Sequence, residues 1–291
     1  MKLNDLLIII SLILVVLGFS LYLYFSLISK LFFQKKEKTT PELASTFGEF
    51  INGITGPIFA LAGFLIIYAT LMDQNDINNL QHFESLFYKQ LDYNRENNIN
   101  ISIKSPKTCE EINGGAVWVS FYSQIKKAYQ IIENDRFLKN EPLNKKIDLA
   151  FATFFYGISK LDTARLYSHM NKLNLSANSN LNYVSNLKLL NHCQNWKSYF
   201  VGYSNKFGVF LKQYFSFIYY VDKEKTLTSK QKEEYIKMLN LQNDNFCQII
   251  IYYYLNSSLC STEELRITEK YNILPDIDNS LLFHLNTDII E

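Results

Sequence analysis

Two long apolar stretches dominate the N-terminal part of the chain, whereas apolar and polar residues are mixed throughout the rest. No charged residue lies between Asp5 and Lys30, and none lies between Glu49 and Asp73. Each stretch exceeds the roughly 20 apolar residues that a helix needs to cross a bilayer. The pattern predicts two transmembrane helices, at about 6–33 and 50–72, which form a hairpin over residues 1–72.

A cleaved signal peptide is the alternative for the first stretch, because Lys2 precedes it. The apolar region of a signal peptide is only about 7–15 residues long, and a small-residue cleavage site follows it. Here the run is longer and Lys30, Phe32 and Phe33 come after it. An uncleaved anchor is therefore favoured.

Beyond Met72, apolar residues recur at spacings of three and four, which predicts that the second helix continues as a linking helix over 73–95. The stripe consists of Leu80, Phe83, Leu86, Phe87 and Leu91. No Gly-, Pro- or Ser-rich linker interrupts it. We expect the apolar and polar parts of the chain to be joined rigidly.

The remaining residues, 73–291, are predicted to form an all-α soluble domain, because no segment keeps a two-residue alternation. Helices are expected near 117–129, 144–173, 182–200, 204–221, 229–256 and 262–271, with the Ser/Asn tract 174–180 as a loop. Capping boxes are expected at Thr108–Glu111, Thr228–Gln231 and Ser261–Glu264. The five prolines are all expected in loops or at helix starts.

Small residues distinguish the second apolar stretch from the first. Gly56, Ala60 and Gly63 share one helical face, and Gly53 and Pro57 lie close by. Small residues at this spacing let two helix backbones approach closely. The face either packs against the first helix of the same chain or mediates self-association between chains, and the spacing fits both. Gly53 to Pro57 is also expected to mark a helix start or a kink.

Two features of the sequence predict opposite orientations in the membrane. Lys30, Lys35, Lys36 and Lys38 lie between the two apolar stretches, which by the positive-inside rule would place this loop in the cytoplasm and the large domain outside. Four cysteines without a CxxC pair instead fit a reducing compartment. We favour a cytoplasmic domain.

The sequence lacks the motifs that are typical of catalytic, metal-binding and nucleic-acid-binding sites. A net charge of +1 gives no support for a nucleic-acid partner. The four histidines lie on separate segments, and no phosphate-binding loop or serine nucleophile motif is present. Neither a metal nor another cofactor is expected. The adjacent His192 and Cys193 would diverge by about 100° on a helix, so they are a poor base and nucleophile pair.

One pair keeps an enzymatic alternative open. Arg165 and His169 are four residues apart and would share a helix face. This resembles the Arg and His of all-helical ribonucleases of the HEPN type, although only three residues intervene here rather than four to six. General-base chemistry by His169 at a dimer interface would be required. The ordinary interpretation is a helix-surface arginine and histidine.

A combination of short motifs resembles the phage abortive-infection proteins of the AbiC-like family. The motifs are FGEFING at 47–53, YATLMDQ at 68–74 and FESLF at 83–87. Their residues of interest are Phe47, Gly48, Gly53, Gln74, Phe83, Glu84 and Phe87. The likeness extends more weakly to 214–222 and 235–256, where Lys212 or Ser216 replaces an expected arginine and Cys247–Gln248 replace an expected glutamate.

The resemblance implies bacterial defence against phage, the cell membrane as location, and a helical cytoplasmic domain, and it supplies no catalytic residues. We expect a non-enzymatic effector that couples sensing to the membrane hairpin. Its expected partners are membrane lipid, further copies of the chain, and a phage component or partner defence protein as the trigger. The alternatives are the ribonuclease and a membrane scaffold for a partner protein.

Overall fold

A computed structural model describes residues 3–34, 41–105, 110–158, 162–188, 200–274 and 277–285. The chain is 78% helical with 2% strand, which confirms the helical class and adds a small sheet. It divides into two compact units, Met1–Ser85 and Leu86–Glu291. The helices of the described residues are α1 Leu3–Gln34, α2 Pro41–Asn100, α3 Gly115–Asn134, α4 Leu143–Tyr156, α5 Asp162–Lys172, α6 Ala177–Lys188, α7 Phe207–Lys223, α8 Ser229–Asn240, α9 Asn245–Leu255 and α10 Thr262–Tyr271.

The two longest helices carry the apolar stretches. Both α1 and α2 are long and apolar enough to cross a membrane, and only 11% and 17% of their most apolar windows are buried by the rest of the protein. As expected, α2 continues past Met72 without a break. It also begins earlier than predicted, at Pro41, so Pro57 lies inside the helix rather than at its start.

The larger unit packs around aromatic side chains from α3, α4 and α7. Phe121 lies with its ring centroid 5.0 Å from that of Phe154, which in turn lies 5.7 Å from that of Phe207. All three side chains are fully buried. Edge-to-face contacts of this kind add to the stability that burial itself provides.

The predicted helix over 144–173 is interrupted, and the cause is a contact from a distant segment. The N–H groups of Tyr203 and Ser204 donate to the carbonyl of Phe155, and that of Ile158 donates to Phe200. The last carbonyls of α4 therefore find partners outside the helix. Gly157 follows with φ of +74°, a value that glycine adopts without strain.

Two further helix boundaries differ from the prediction because short side chains cap the helices locally. Asp244 accepts a hydrogen bond from the N–H of Cys247 at 2.7 Å, which starts α9 and splits the expected helix 229–256. Ser176 accepts from the N–H of Ser179, and α6 begins at Ala177. The Ser/Asn tract is therefore a turn followed by a helix rather than a seven-residue loop.

A short antiparallel pair of strands precedes α3. β1 (Ser102–Lys104) pairs with β2 (Glu111–Asn113), with Ile103 opposite Ile112. The capping box expected around Thr108 and Cys109 lies outside the described residues, and Glu111 belongs to a strand. The boxes at Thr228–Gln231 and Ser261–Glu264 are confirmed, each with both hydrogen bonds.

Candidate functional site

Within the smaller unit, α1 contacts α2 through small residues that recur every seventh position. On both helices these residues are buried, whereas most of their neighbours are exposed. A seven-residue repeat keeps one face of a helix against a partner, and small side chains shorten the distance between the axes. The set consists of Asn4, Ser11 and Gly18 on α1 and Thr55, Ala62 and Ala69 on α2.

Three contacts join α1 and α2, and they pair successive residues of α1 with progressively earlier residues of α2. The amide of Asn4 donates to the carboxylate of Asp73. The hydroxyl of Ser11 donates to the carbonyl of Ala62 at 3.0 Å. Further along, the rings of Phe25 and Phe50 meet edge to face with centroids 5.7 Å apart. Polar groups of the two helices thus satisfy one another instead of facing outward.

Gly18 lies close to two side chains of α2. A Cβ placed on it would lie 3.1 Å from the ring of Phe59 and 3.3 Å from the side chain of Ile58. Contacts this short force the neighbouring side chains to move. Glycine at position 18 therefore permits the observed separation of α1 and α2.

The small residues singled out from the sequence lie on a different face of α2. Added Cβ atoms at Gly53, Gly56 and Gly63 would meet nothing within 4 Å, and Pro57 and Ala60 are exposed. The interpretation that this face packs against the first helix of the same chain therefore does not match the structure, because the seven-residue repeat turns Ala62 toward α1 instead. The residues Gly53, Gly56, Ala60 and Gly63 form what we call the open face.

The motif residues that carry the family resemblance differ in how far their side chains are buried. Phe83 and Phe87 are buried, whereas Gln74 is exposed and Glu84 and Phe47 are half-buried. Added atoms at Gly48 would meet nothing within 4 Å.

Phe87 has a clear structural role in the larger unit. Its ring lies 4.9 Å from that of Phe217 on α7 and 4.7 Å from that of Tyr235 on α8. Phe87 therefore packs this part of α2 into the aromatic core.

The Arg165 and His169 pair does not form an exposed site. His169 is 4% exposed, and its Nε2 lies 3.0 Å from Oδ1 of Asp148, which is also buried. Arg165 is exposed on the same helix. A general base must reach a proton on its substrate, and His169 is instead occupied by an internal carboxylate. The ordinary interpretation was that both side chains of the pair lie at the helix surface. In the structure only Arg165 does.

No family model, curated protein or solved structure matches this chain.

Among the described residues, no group of three or more His, Cys, Asp or Glu side chains could hold a metal ion. Burial raises the pKa of the Cys247 thiol far above its usual value. Burial, together with Glu264, raises the pKa of Cys260 to about 12. Neither thiol is activated as a nucleophile. His192 and Cys193 lie outside the described residues.

The contact residues of α1 and α2 were not singled out from the sequence, although a signal was present. Asn4, Ser11 and Gly18, like Thr55, Ala62 and Ala69, follow each other at intervals of seven. Small residues at spacings of three and four identify the open face, whereas the contact residues repeat at a spacing of seven.

Proposed function

We propose that this chain is a non-enzymatic bacterial anti-phage defence protein of the abortive-infection type, anchored in the cell membrane by α1 and the apolar part of α2. The observation that carries the anchor is the exposure of both apolar windows. A water-soluble protein rarely leaves contiguous apolar surface of this extent in contact with solvent. The motifs at 47–53, 68–74 and 83–87 support the defence role through their resemblance to the AbiC-like family.

In this proposal α1 and α2 form a transmembrane hairpin. The antiparallel contacts of Ser11 with Ala62 and of Asn4 with Asp73 support it, because polar groups in lipid need internal partners. Lipid then surrounds the remaining surface of the hairpin.

The open face supports self-association as the effector step. Because Gly53, Gly56 and Ala60 are exposed and an added Cβ at the half-buried Gly63 would meet nothing within 4 Å, this face is available for a second copy of the chain. A phage component or partner protein, sensed by the larger unit, is the proposed trigger, and impaired membrane integrity is the proposed outcome.

In this proposal the larger unit lies in the cytoplasm of the bacterial cell. Cys247 and Cys260 are free thiols, which fits a reducing compartment. The lysine-rich segment between α1 and α2 argues for the opposite orientation. A reporter fused after Asp288 that is active only in the cytoplasm decides between the two.

A phage plating assay with matched variants tests the effector step. Gly56→Leu fills the open face and should abolish protection, whereas Ser45→Leu, at an exposed residue before the apolar stretch and outside the three motifs, should retain it. A chain lacking residues 1–72 should also lose protection. Wild-type protection with an unchanged membrane potential would contradict membrane damage as the effector step.

The exposed Arg165 distinguishes the ribonuclease alternative from the non-enzymatic proposal. Arg165→Ala should leave protection intact if the chain acts without catalysis, and should abolish it if Arg165 helps to cleave RNA. A scaffold that only holds a partner at the membrane is excluded if this gene alone protects cells.

A further inference from the structure

A cleft lies within the larger unit, between the end of α2 and α7. It consists of two neighbouring cavities of about 220 Å³ and 350 Å³. Tyr93 and Gln213 line both cavities, so the two lie next to each other. The size falls in the range of binding sites for small ligands and short peptides.

Uncharged amide side chains dominate the lining of this cleft. Among the residues that the structure describes, no charged residue lines the smaller cavity, and Lys206 is the only charged residue that lines the larger one. The amine of Lys206 already donates to the carbonyl of Ser102. The amides are Gln90, Asn94, Asn97, Asn98, Asn100, Asn205 and Gln213. Two of them also donate hydrogen bonds within the protein: Asn94 donates to Gln242 at 3.1 Å, and Asn97 donates to Gln213 at 3.4 Å.

The lining excludes several ligand classes on physical grounds. Nucleotides and nucleic acids need several cations to neutralise their phosphates, and one occupied lysine does not provide them. Strongly charged peptides would lose hydration without gaining an opposite charge. A carboxamide, in contrast, offers both a donor and an acceptor, which is the same pair of groups that a peptide unit presents.

Aromatic surface accompanies the amides. Tyr93 is 56% exposed at the junction of the cavities, and Phe217 and Tyr220 line the smaller one. Rings of this kind accept apolar side chains with little loss of conformational entropy. The smaller cavity therefore suits one apolar side chain, and the amides suit the adjoining main chain.

The length of the cleft agrees with this occupant. The lining runs along α2 from Gln90 to Asn100. At 1.5 Å per residue this helical segment measures about 15 Å. An extended peptide rises about 3.3 Å per residue, so about five residues span it.

We propose that this cleft binds an uncharged peptide segment of about five residues in an extended conformation, with an apolar side chain in the smaller cavity. This binding site goes beyond the proposed defence function and does not depend on it.

The test uses an array of pentapeptides, acetylated and amidated at their ends and built from Ala, Leu, Phe, Asn, Gln and Ser. Detergent-solubilised full-length protein should bind a subset of them, and replacing their central residue by Asp should abolish binding. Tyr93→Ala should weaken binding at least about tenfold, which is typical of a central aromatic contact. Tyr88→Ala, which removes a half-exposed tyrosine that does not line the cleft, should leave it unchanged.

A second pair of variants fills the cleft without removing an aromatic ring. Ser216→Trp places a bulky side chain in the smaller cavity and should abolish binding, whereas Lys212→Trp, on an exposed part of α7, should not. The proposal is overturned if no peptide binds the wild type, if both tyrosine variants behave alike, or if maltopentaose or an oligothymidylate binds and the peptides do not. Phage protection is measured separately, so failure of the peptide site leaves the defence role to its own test.

Discussion

Burial is the largest cause of the raised pKa values of four side chains in the larger unit. These are the thiols of Cys247 and Cys260 and the phenols of Tyr253 and Tyr254. Active sites usually combine burial with a specific charge that stabilises a reactive form. At Cys260 the neighbouring Glu264 acts in the same direction as burial, so it suppresses the thiolate further.

Alkylation should therefore distinguish these cysteines from activated ones. With iodoacetamide at pH 8, Cys247 should remain unmodified in the folded protein, because the thiolate is the reactive species and burial disfavours it. Cys260 should react only slowly. Peptide mapping by mass spectrometry measures both, and the unfolded protein in guanidinium is the control in which both react. Rapid labelling of native Cys260 would contradict the assigned environment.

His284 should make stability depend on pH. It lies 3.3 Å from the hydroxyl of Tyr253, and burial lowers its pKa below 6.5. The folded state therefore binds fewer protons than the unfolded state, so the stability present above pH 6.5 is lost as the pH falls through 6.5 toward the folded pKa.

The midpoint of thermal unfolding, measured at pH 7.5 and at pH 5.5, tests this pH dependence. His284→Phe should show a smaller drop on acidification than the wild type, because this titration is removed. His82→Phe, at an exposed histidine on α2, should keep the wild-type drop. An equal drop in all three proteins would rule out a contribution from His284.

At the level of helices, the ends depend on glycines and side-chain caps more than on apolar periodicity. The end of α4 illustrates this, because Gly157 and Gly202 both have positive φ values and pack against each other. A Cβ on Gly202 would overlap the carbonyl of Tyr156. The chain crosses itself here at a distance that no other residue permits.

Gly202→Ala should accordingly destabilise the protein by about 2 kcal/mol or more, because backbone cannot move aside as a flexible side chain can. Gly208→Ala is the matched control. Its Cβ would lie 3.5 Å from the ring of Phe155, an ordinary contact, and Gly208 lies within a helix. Chemical denaturation compares the two, and a neutral Gly202→Ala would contradict the observed crossing.

At the level of the whole molecule, the larger unit should fold without the apolar one. Leu86–Glu291 forms a compact unit with its own aromatic core. A fragment of residues 73–291 should therefore be helical by circular dichroism and should unfold cooperatively.

Within that fragment, Phe87 tests whether α2 contributes to the core. Phe87→Ala should lower the free energy of unfolding by about 3–5 kcal/mol, the usual cost of removing a buried phenylalanine. Tyr88→Ala, at a neighbouring half-exposed ring, should cost far less. Equal effects of the two changes would show that the buried contacts of Phe87 with Phe217 and Tyr235 do not stabilise the fragment.

Several features follow from the sequence itself. The apolar stretches predicted two long helices because uninterrupted runs without charge leave few alternatives to a helix that buries its own hydrogen bonds. The capping boxes at Thr228 and Ser261 and the helix 262–271 were predicted correctly, because their partners lie three residues apart and no distant contact is needed.

Other features were decided by tertiary structure. The sequence pointed to Gly56, Ala60 and Gly63 as helix-packing residues, but contact with α1 selected Thr55, Ala62 and Ala69, because the partner helix determines which face is covered. Likewise, α4 ends where residues 200–204 cap its carbonyls, and His169 is buried because Asp148 meets it from another helix. Local patterns determine which segments are helical, whereas contacts between residues distant in sequence determine where some helices end and which faces remain open.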